Sequence, residues 1–201
     1  GIMGKPFQKP HPQIIGTVVA PYSKGIVGLG ERGWYAISAN FLQPKWEATH
    51  WPLFEEGGAK VGRKADRKDW RVAKSVFVAD GDKVAQEYGK GEQSPHRFYF
   101  KQLGAKLIRA GKLDMFKIDL NQPDEEITLD YMVDSMVIAG GVDSVVDQLL
   151  AFRAEIGDFG TLVYNGPDCV DPVLGKRSME LMATEVMPHL NAAIGEKAAA
   201  E

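Results

Sequence analysis

The chain has 201 residues, of which 44% are hydrophobic, and a formal net charge of −3. This composition is ordinary for one globular domain over residues 1–201, and it argues against a nucleic-acid-binding surface. We find no apolar stretch near the roughly 18 residues of a membrane span and expect no signal peptide near Gly1. The single Cys169 excludes an intramolecular disulfide and favours a cytoplasmic location.

The first regular elements are predicted between residues 12 and 41. Residues 14–19, IIGTVV, are apolar and β-branched, which predicts a strand buried on both faces. The turn APYSKG leads into a short helix over 26–32, which Gly33 ends. A second strand follows over 34–40. This order predicts two parallel strands joined by a right-handed crossover.

The middle of the chain has a less regular pattern. Three elements are predicted first: a helix over 51–56 that Gly57 and Gly58 end, a strand over 70–79 and a helix over 83–88. Residues 89–127 fit no compact βα unit. They contain a linker, an irregular helix over 97–110 and an acidic loop. A connection of this length is typical of a lid or a binding insertion.

The last third of the chain returns to alternation. We predict a helix over 128–139, a helix over 142–156 with an apolar stripe, a strand over 159–164, and a helix over 178–194 with Met179 on its buried side. Pro188 is expected to kink or shorten that last helix. About four strands, each followed by helical material, predict an α/β fold with a parallel sheet. Four strands are too few to close a barrel, which takes about eight.

The motifs of this chain, taken in order, resemble one enzyme family. They are the APYSKG loop, GERGW, ISANF, THW, the strand WRVAKSVFVA, the strand and turn DFGTLVYNGPD, and the closing helix SMELMATEVMPHLNAAI. Together they resemble the bacterial luciferase-like, flavin-dependent monooxygenases, in the branch of the limonene and diketocamphane monooxygenases. The resemblance covers nearly the whole chain.

That resemblance implies a TIM barrel that holds reduced FMN at the C-terminal ends of its strands. The flavin, supplied by a separate reductase, reacts with O2 to oxygenate a small apolar organic substrate. This chain is expected to be the C-terminal half of the barrel, with two open sheet edges. Three readings stay open: an enzyme with a completed barrel, a non-catalytic flavin-binding or structural half that needs a partner or a second copy, and a piece of a longer enzyme.

The candidate cofactor-binding residues follow the first two strands. Ser23 comes first, because the family offers a hydroxyl to the FMN phosphate there, and a hydroxyl beside helix N-terminal amides suits a dianion. Serine suits a helix N-cap equally well, and both roles can coexist. Ser38 and Asn40 could line the pocket or form strand-end turns. The full candidate set is Ala20, Tyr22, Ser23, Gly25 and Ser38.

Three aromatic residues, Trp51, Phe98 and Tyr164, are candidates for substrate contact. Tryptophan is more often core, and Phe98 could instead anchor the insertion. His50 has no visible carboxylate partner, so a structural role is favoured over that of a base. Cys169 has no paired base, and a catalytic thiol is not expected. We assign no catalytic residue and no metal ligand.

Overall fold

The computed structural model describes residues 4–166 and 170–200, with side chains as far as Gly195, and contains a five-stranded parallel sheet. Its strands are β1 (Ile15–Val18), β2 (Tyr35–Ser38), β3 (Trp70–Val78), β4 (Val137–Gly140) and β5 (Thr161–Asn165). β3 pairs with β2, β4 and β5, whereas β1 pairs with β2. Arg71 has a partner in both β2 and β5, so these strands flank β3 on opposite sides. The predicted parallel α/β fold is confirmed.

Helices follow each strand. They are α1 (Gly25–Arg32), α2 (Pro44–Glu47), α3 (His50–Lys60), α4 (Asp82–Lys90), α5 (Pro95–Arg109), α6 (Leu129–Met136), α7 (Val142–Ile156), α8 (Pro172–Leu181) and α9 (Met187–Ala200). Short 3-10 turns lie at Arg67–Asp69, Leu113–Phe116 and Asp124–Glu126. Gly33 ends α1 in the left-handed conformation, with φ 71°, as predicted.

Most of the helices pack on one face of the sheet. Val18, Ala36, Trp70 and Val72 alternate along their strands and pack against α1, α3 and α7. Further along β3, Val76 and Val78 pack against α7 and the helices at the C-terminal end. A separate cluster around Phe77, Ala139 and Phe100 joins α4, α5 and α6 to the C-terminal ends of β3 and β4.

The opposite face of β1, β2, β5 and the first half of β3 has no helical cover among the described residues. We call it the open face; its residues are Ile15, Thr17, Tyr35, Ile37, Arg71, Ala73, Thr161 and Val163, all exposed or only partly buried. Ile15 is 44% exposed, whereas Val18 on the helix side is 2% exposed. The prediction that the first strand is buried on both faces is therefore wrong, because β1 lies at the edge of a sheet with one covered face.

Helix and strand boundaries differ from the predictions at several places. Gly57 and Gly58 lie inside α3, not at its end. Residues 137–140, predicted as helix, form β4. Residues 89–110 are also more regular than predicted, because the Ser94 hydroxyl accepts the His96 and Arg97 amides and starts a 15-residue helix, α5.

The C-terminal helix is longer than predicted and has an irregular turn. A π-helical turn, Met182–Val186, joins α8 to α9. Pro188 lies two residues after this turn, and such a turn relieves the bonding pattern that a proline interrupts. Met179 is 55% exposed, contrary to its predicted buried position, whereas Leu181 and Val186 are buried.

Candidate functional site

The loop from Ala20 to Lys24 joins β1 to α1 at the C-terminal ends of the strands. Tyr22 has φ 50°, which is uncommon for a residue with a side chain. Its N–H donates to Thr49 Oγ1 at 3.0 Å, and the Thr49 hydroxyl donates to the Trp46 carbonyl at 2.6 Å. The Tyr22 ring meets the Trp46 ring edge-on, with centroids 6.2 Å apart. The segment between α2 and α3 thus fixes the shape of this loop.

A chain of hydrogen bonds connects the same loop to the core. Trp70 Nε1 donates to Ser38 Oγ at 2.8 Å, Ser38 Oγ lies 2.8 Å from His50 Nδ1, and His50 Nε2 lies 2.8 Å from the Ala20 carbonyl. An indole N–H only donates and a carbonyl only accepts, so a neutral His50 protonated on Nε2 satisfies every group. Burial lowers the pKa of His50, although the Ala20 carbonyl acts in the opposite direction.

The Ser23 hydroxyl does not cap α1. Lys24 occupies the N-cap position without a side-chain hydrogen bond, and the Ser23 carbonyl accepts the Ile26 amide at 3.2 Å. The hydroxyl has no hydrogen-bond partner in the described ranges 4–166 and 170–200. Gly25 is exposed beside it, and the first turn of α1 carries no acidic residue. An unused hydroxyl, a helix N-terminus and the exposed Lys24 together suit an anion.

Ser38 lies beneath this loop and does not line it. It is fully buried, and both its acceptor and its donor are used within the hydrogen-bond chain. Asn40, two residues later, donates to Ser75 Oγ at 2.8 Å and accepts the Tyr99 hydroxyl at 3.2 Å. Burial raises the pKa of Tyr99. Asn40 therefore ties α5, in the long insertion, to the C-terminal end of β2.

The insertion contains an open cleft of about 740 Å³ beside the start of α5. Phe98 lines it with 67% of its surface exposed, and Val170 faces it from the segment after β5 with 64% exposed. Pro95 and Leu129 add apolar surface, while the charged residues at this cleft are Glu92, Arg97 and Lys101. This is the environment of the predicted substrate contact Phe98.

The other two aromatic candidates are more enclosed. Trp51 is 5% exposed, and its ring packs against Trp70 with centroids 6.0 Å apart, under the Arg67 guanidinium at 4.3 Å. Tyr164 lies at the end of β5, where its hydroxyl is 3.0 Å from Ser178 Oγ. It lines a small cavity of about 140 Å³, which shares Pro95 with the larger cleft. The structure therefore brings Ala20, Tyr22, Ser23 and Gly25 together in one loop. Of the aromatic candidates, Phe98 is exposed, whereas Trp51 is part of the core.

Sequence reasoning missed the polar partners that hold the loop. Thr49 and Trp70 lie in the motifs THW and WRVAKSVFVA, but their hydrogen bonds were not predicted, because these depend on contacts with residues distant in the chain. Cys169 lies outside the described residues. Among those that are described, no group of His, Cys, Asp and Glu could hold a metal ion, and no helix is long and apolar enough to span a membrane.

Comparisons with known proteins place this fold and loop in context. No protein-family model matches the chain. The 3,6-diketocamphane 1,6-monooxygenase of Pseudomonas putida is 27% identical over 187 residues, which are 92% of this chain and 49% of that protein. Limonene 1,2-monooxygenase of Rhodococcus erythropolis is 23% identical over 90% of this chain and 44% of its own length.

Solved structures give the same result. The oxygenating constituent of 3,6-diketocamphane monooxygenase from Pseudomonas putida, a type II Baeyer–Villiger monooxygenase in complex with FMN, matches with a TM-score of 0.78 and 28% identity, over 89% of this chain and 49% of that one. Monooxygenase RslO1 from Streptomyces bottropensis, at 18% identity, shares the fold with a TM-score of 0.64, over 91% of this chain and 50% of its own.

The fold and these relatives confirm the resemblance stated from the motifs: the chain is similar to luciferase-like, flavin-dependent monooxygenases. Among them it resembles the diketocamphane and limonene monooxygenases. The chain spans about half the length of the curated relatives it matches.

Proposed function

We propose that this chain provides the flavin-phosphate-binding half of an FMN-dependent monooxygenase, which oxygenates a small apolar organic substrate with reduced FMN and O2. The relatives support this proposal by their names, and one of them was solved in complex with FMN. The observation that carries it is the Ser23 hydroxyl, which is unused in the described chain and lies at the start of α1 in a loop fixed from below.

Each loop residue has a distinct part in this proposal. Ser23 Oγ and the backbone N–H groups near Gly25 hold the FMN phosphate, and Lys24 adds positive charge. Tyr22 and Ala20 keep the loop in shape through Thr49 and His50. Ser38 does not contact the cofactor in this proposal and acts on the site only through its hydrogen bond to His50. When bound, reduced FMN supplies the electrons that activate O2 for transfer of one oxygen atom.

The insertion over 89–127 is the proposed substrate lid. Phe98 is the substrate candidate with the best geometry, because its ring is exposed in the apolar cleft, whereas Trp51 and Tyr164 are more enclosed. An apolar lid would exclude water from the reacting flavin. We further propose a separate flavin reductase as partner, a cytoplasmic location, and no nucleic-acid or membrane partner.

A second candidate function is a non-catalytic half that binds flavin or serves only in assembly. The open face favours it, because a sheet with one uncovered face lacks the completed pocket of a barrel. A non-catalytic half that binds flavin would also place Ser23 at the phosphate and would differ from the first candidate only in turnover, whereas a half that serves only in assembly would bind no FMN.

Titration of the purified chain with FMN, oxidised and then anaerobically reduced, tests the site. Replacing Ser23 with Ala should weaken FMN binding by roughly 1.5–3 kcal/mol, about tenfold or more, through loss of a charge-assisted hydrogen bond. Ser144→Ala is the matched control, since Ser144 also lies in the first turn of a helix, α7. Flavin fluorescence gives the affinities, and thermal melting reports the folded state.

Two results would count against the assignment. Unchanged affinity in Ser23→Ala with a lower melting temperature would make Ser23 a stabilising residue and not a ligand. A folded wild-type chain that binds no FMN would mean that this chain by itself has no flavin site.

A further inference from the structure

The exposed side of α5 carries charge of one sign. Residues 93–113 contain five basic residues and no Asp or Glu, although the whole chain has a net charge of −3. The basic residues are Arg97, Lys101, Lys106, Arg109 and Lys112. Arg97 pairs with Asp130, but the other four are exposed and form no ion pair with any described residue. This side of the helix therefore attracts anions.

Two adjoining clefts lie along this side of α5. The cleft of about 740 Å³ beside the start of the helix is lined by Phe98 and Lys101, and a second cleft of about 530 Å³ is lined by Lys106 and Arg109. Gln102 lines both clefts, so they are continuous, and we call them together the α5 groove. Phe98 and Arg109 lie about 16 Å apart along the helix axis, at the usual rise per residue.

The α5 groove changes from apolar to cationic along its length. At one end Phe98 is 67% exposed, and Pro95, Leu129 and Val170 add apolar surface around it. The other end has only basic side chains, amide and alanine at its surface. Glu92 is the one carboxylate that lines the groove among the described residues, and it belongs to the first cleft. This order matches a molecule with an apolar body and an anionic head group.

Helix stability explains only part of this pattern. Basic residues in a last helical turn complement the helix dipole, which accounts for Lys106 and Arg109. The dipole does not account for Lys101, in the middle of α5, or for the exposed ring of Phe98. Clefts of several hundred Å³ are typical of small-molecule sites, whereas protein partners cover broad surfaces. The shape of the groove therefore favours a small ligand over an acidic protein.

We propose that the α5 groove binds an amphiphilic small molecule, with its apolar body against Phe98 and an anionic head group, a carboxylate or a phosphate, on Lys106 and Arg109. Lys101 adds positive charge between the two ends. This inference rests on the proposed function, because it makes the amphiphile the substrate and narrows the substrate class to apolar molecules with one anionic end. Binding in the groove requires no flavin, so it is measured separately from the FMN site.

Calorimetric titration of the chain without flavin tests the groove. The probes are decanoate, decyl phosphate and the neutral decanol, which share one alkyl chain and differ in the head group. All three are used below the concentrations at which they aggregate. We expect each anionic probe to bind about tenfold more tightly than decanol, because the cations of the groove attract its head group. Raising the salt concentration should reduce this difference, since salt screens exposed charges.

Variants separate the two ends of the groove. The double variant Lys106→Gln/Arg109→Gln should lower the affinity for decanoate about tenfold and leave that for decanol unchanged. Phe98→Ala should weaken the binding of all three probes, because it removes apolar contact. Lys64→Gln/Lys68→Gln is the matched control, since it removes the same charge from exposed positions ahead of β3.

Three results would overturn the inference. They are equal affinities for decanoate and decanol, an equal loss of decanoate affinity in the control double variant, and a polyglutamate peptide that binds more tightly than both anionic probes and is unaffected by Phe98→Ala. The last result would make this side of α5 a docking surface for an acidic protein. A chain that binds decanoate in the expected way but no FMN would support the groove and count against the flavin site alone.

Discussion

His50 connects the candidate phosphate loop to the core of the molecule. Its two ring nitrogens bridge the Ala20 carbonyl and the Ser38 hydroxyl, and Ser38 is held in turn by Trp70. Protonation of Nδ1 would replace an acceptor with a donor facing Ser38. The neutral ring is thus part of the folded structure, in agreement with the lowered pKa of His50.

We expect His50 to make the protein less stable in acid. Its folded pKa lies below the ordinary value of 6.5, so its contribution is complete above pH 6.5 and is lost as the pH falls toward the folded pKa. His50→Gln should cost about 1–3 kcal/mol at pH 8, from buried groups left unpaired, and less at pH 5. Urea unfolding across this range measures the difference.

The exposed His189→Gln serves as the control for the His50 experiment. A cost of His50→Gln that is constant from pH 5 to pH 8 would contradict the neutral hydrogen-bond chain.

A second buried group, Glu47, is the last residue of α2. Its Oε1 is 2.7 Å from Lys74 Nζ, and Oε2 has no partner among the described residues. Lys74 also donates to the Leu42 carbonyl at 3.3 Å and lies 4.3 Å from the Phe152 ring centroid. Burial raises the pKa of Glu47 to about 7, although Lys74 acts to lower it. The pair therefore adds little net stability, but removing one member alone leaves an uncompensated charge.

Lys74→Met should lower the free energy of unfolding by about 3–5 kcal/mol at pH 8, because it leaves the Glu47 carboxylate buried without a partner. Adding Glu47→Gln should recover part of this loss, since a neutral amide is cheaper to bury. At pH 5 the single variant should be less impaired, because Glu47 takes up a proton. Strictly additive costs in a double-mutant cycle would contradict the coupling.

At the scale of elements, two glycines, Gly30 and Gly57, decide how α1 and α3 meet. A Cβ on Gly57 would clash with the Val27 carbonyl, and one on Gly30 would clash with the Phe54 carbonyl. The sequence pattern predicted that Gly57 and Gly58 end the helix, because glycine disfavours helix interiors. Close contact between two backbones overrides this preference, and such contact involves residues that are distant in sequence.

Gly57→Ala should destabilise the chain by about 3 kcal/mol, because an added methyl forces the two helix backbones apart. Gly195→Ala is the matched control in another helix, α9, where a Cβ meets nothing within 4 Å. It should stabilise by up to about 1 kcal/mol through helix propensity. Thermal melting distinguishes the two, and a Gly57→Ala variant as stable as wild type would refute the close packing.

β4 shows a second limit of element prediction. Its four residues, VIAG, continue the apolar pattern of the preceding helix α6 without a break. A strand this short cannot be separated from a helix by periodicity. Pairing with residues 75–78 of β3 decides the outcome. By contrast, β3 was predicted within one residue of its observed end, because five of its nine residues are β-branched or aromatic, which is a clear strand pattern.

For the whole molecule, the sequence was sufficient to predict the fold class and the order of the motifs. It was not sufficient to predict which faces of the sheet are covered by helices. Alternation of strands and helices predicted the parallel sheet, and the loop around Ser23 was found from its motif. The exposure of β1 was not predicted, because burial depends on layers that a local pattern cannot show. The role of His50 was missed in detail for the same reason, since its partners Ala20 and Ser38 are brought to it only by the folded sheet.

The central position of β3 has a consequence for how the chain folds. β3 pairs with β2, which precedes it closely, but also with β4 and β5, which are synthesised much later. Contacts between distant parts of the sequence slow folding, since the intervening chain must be ordered first. During synthesis, one edge of β3 therefore has no native partner until residue 165 has left the ribosome. A nascent chain of this kind exposes an apolar strand edge for a long time, and we expect it to depend on chaperones and to aggregate readily when they are limiting.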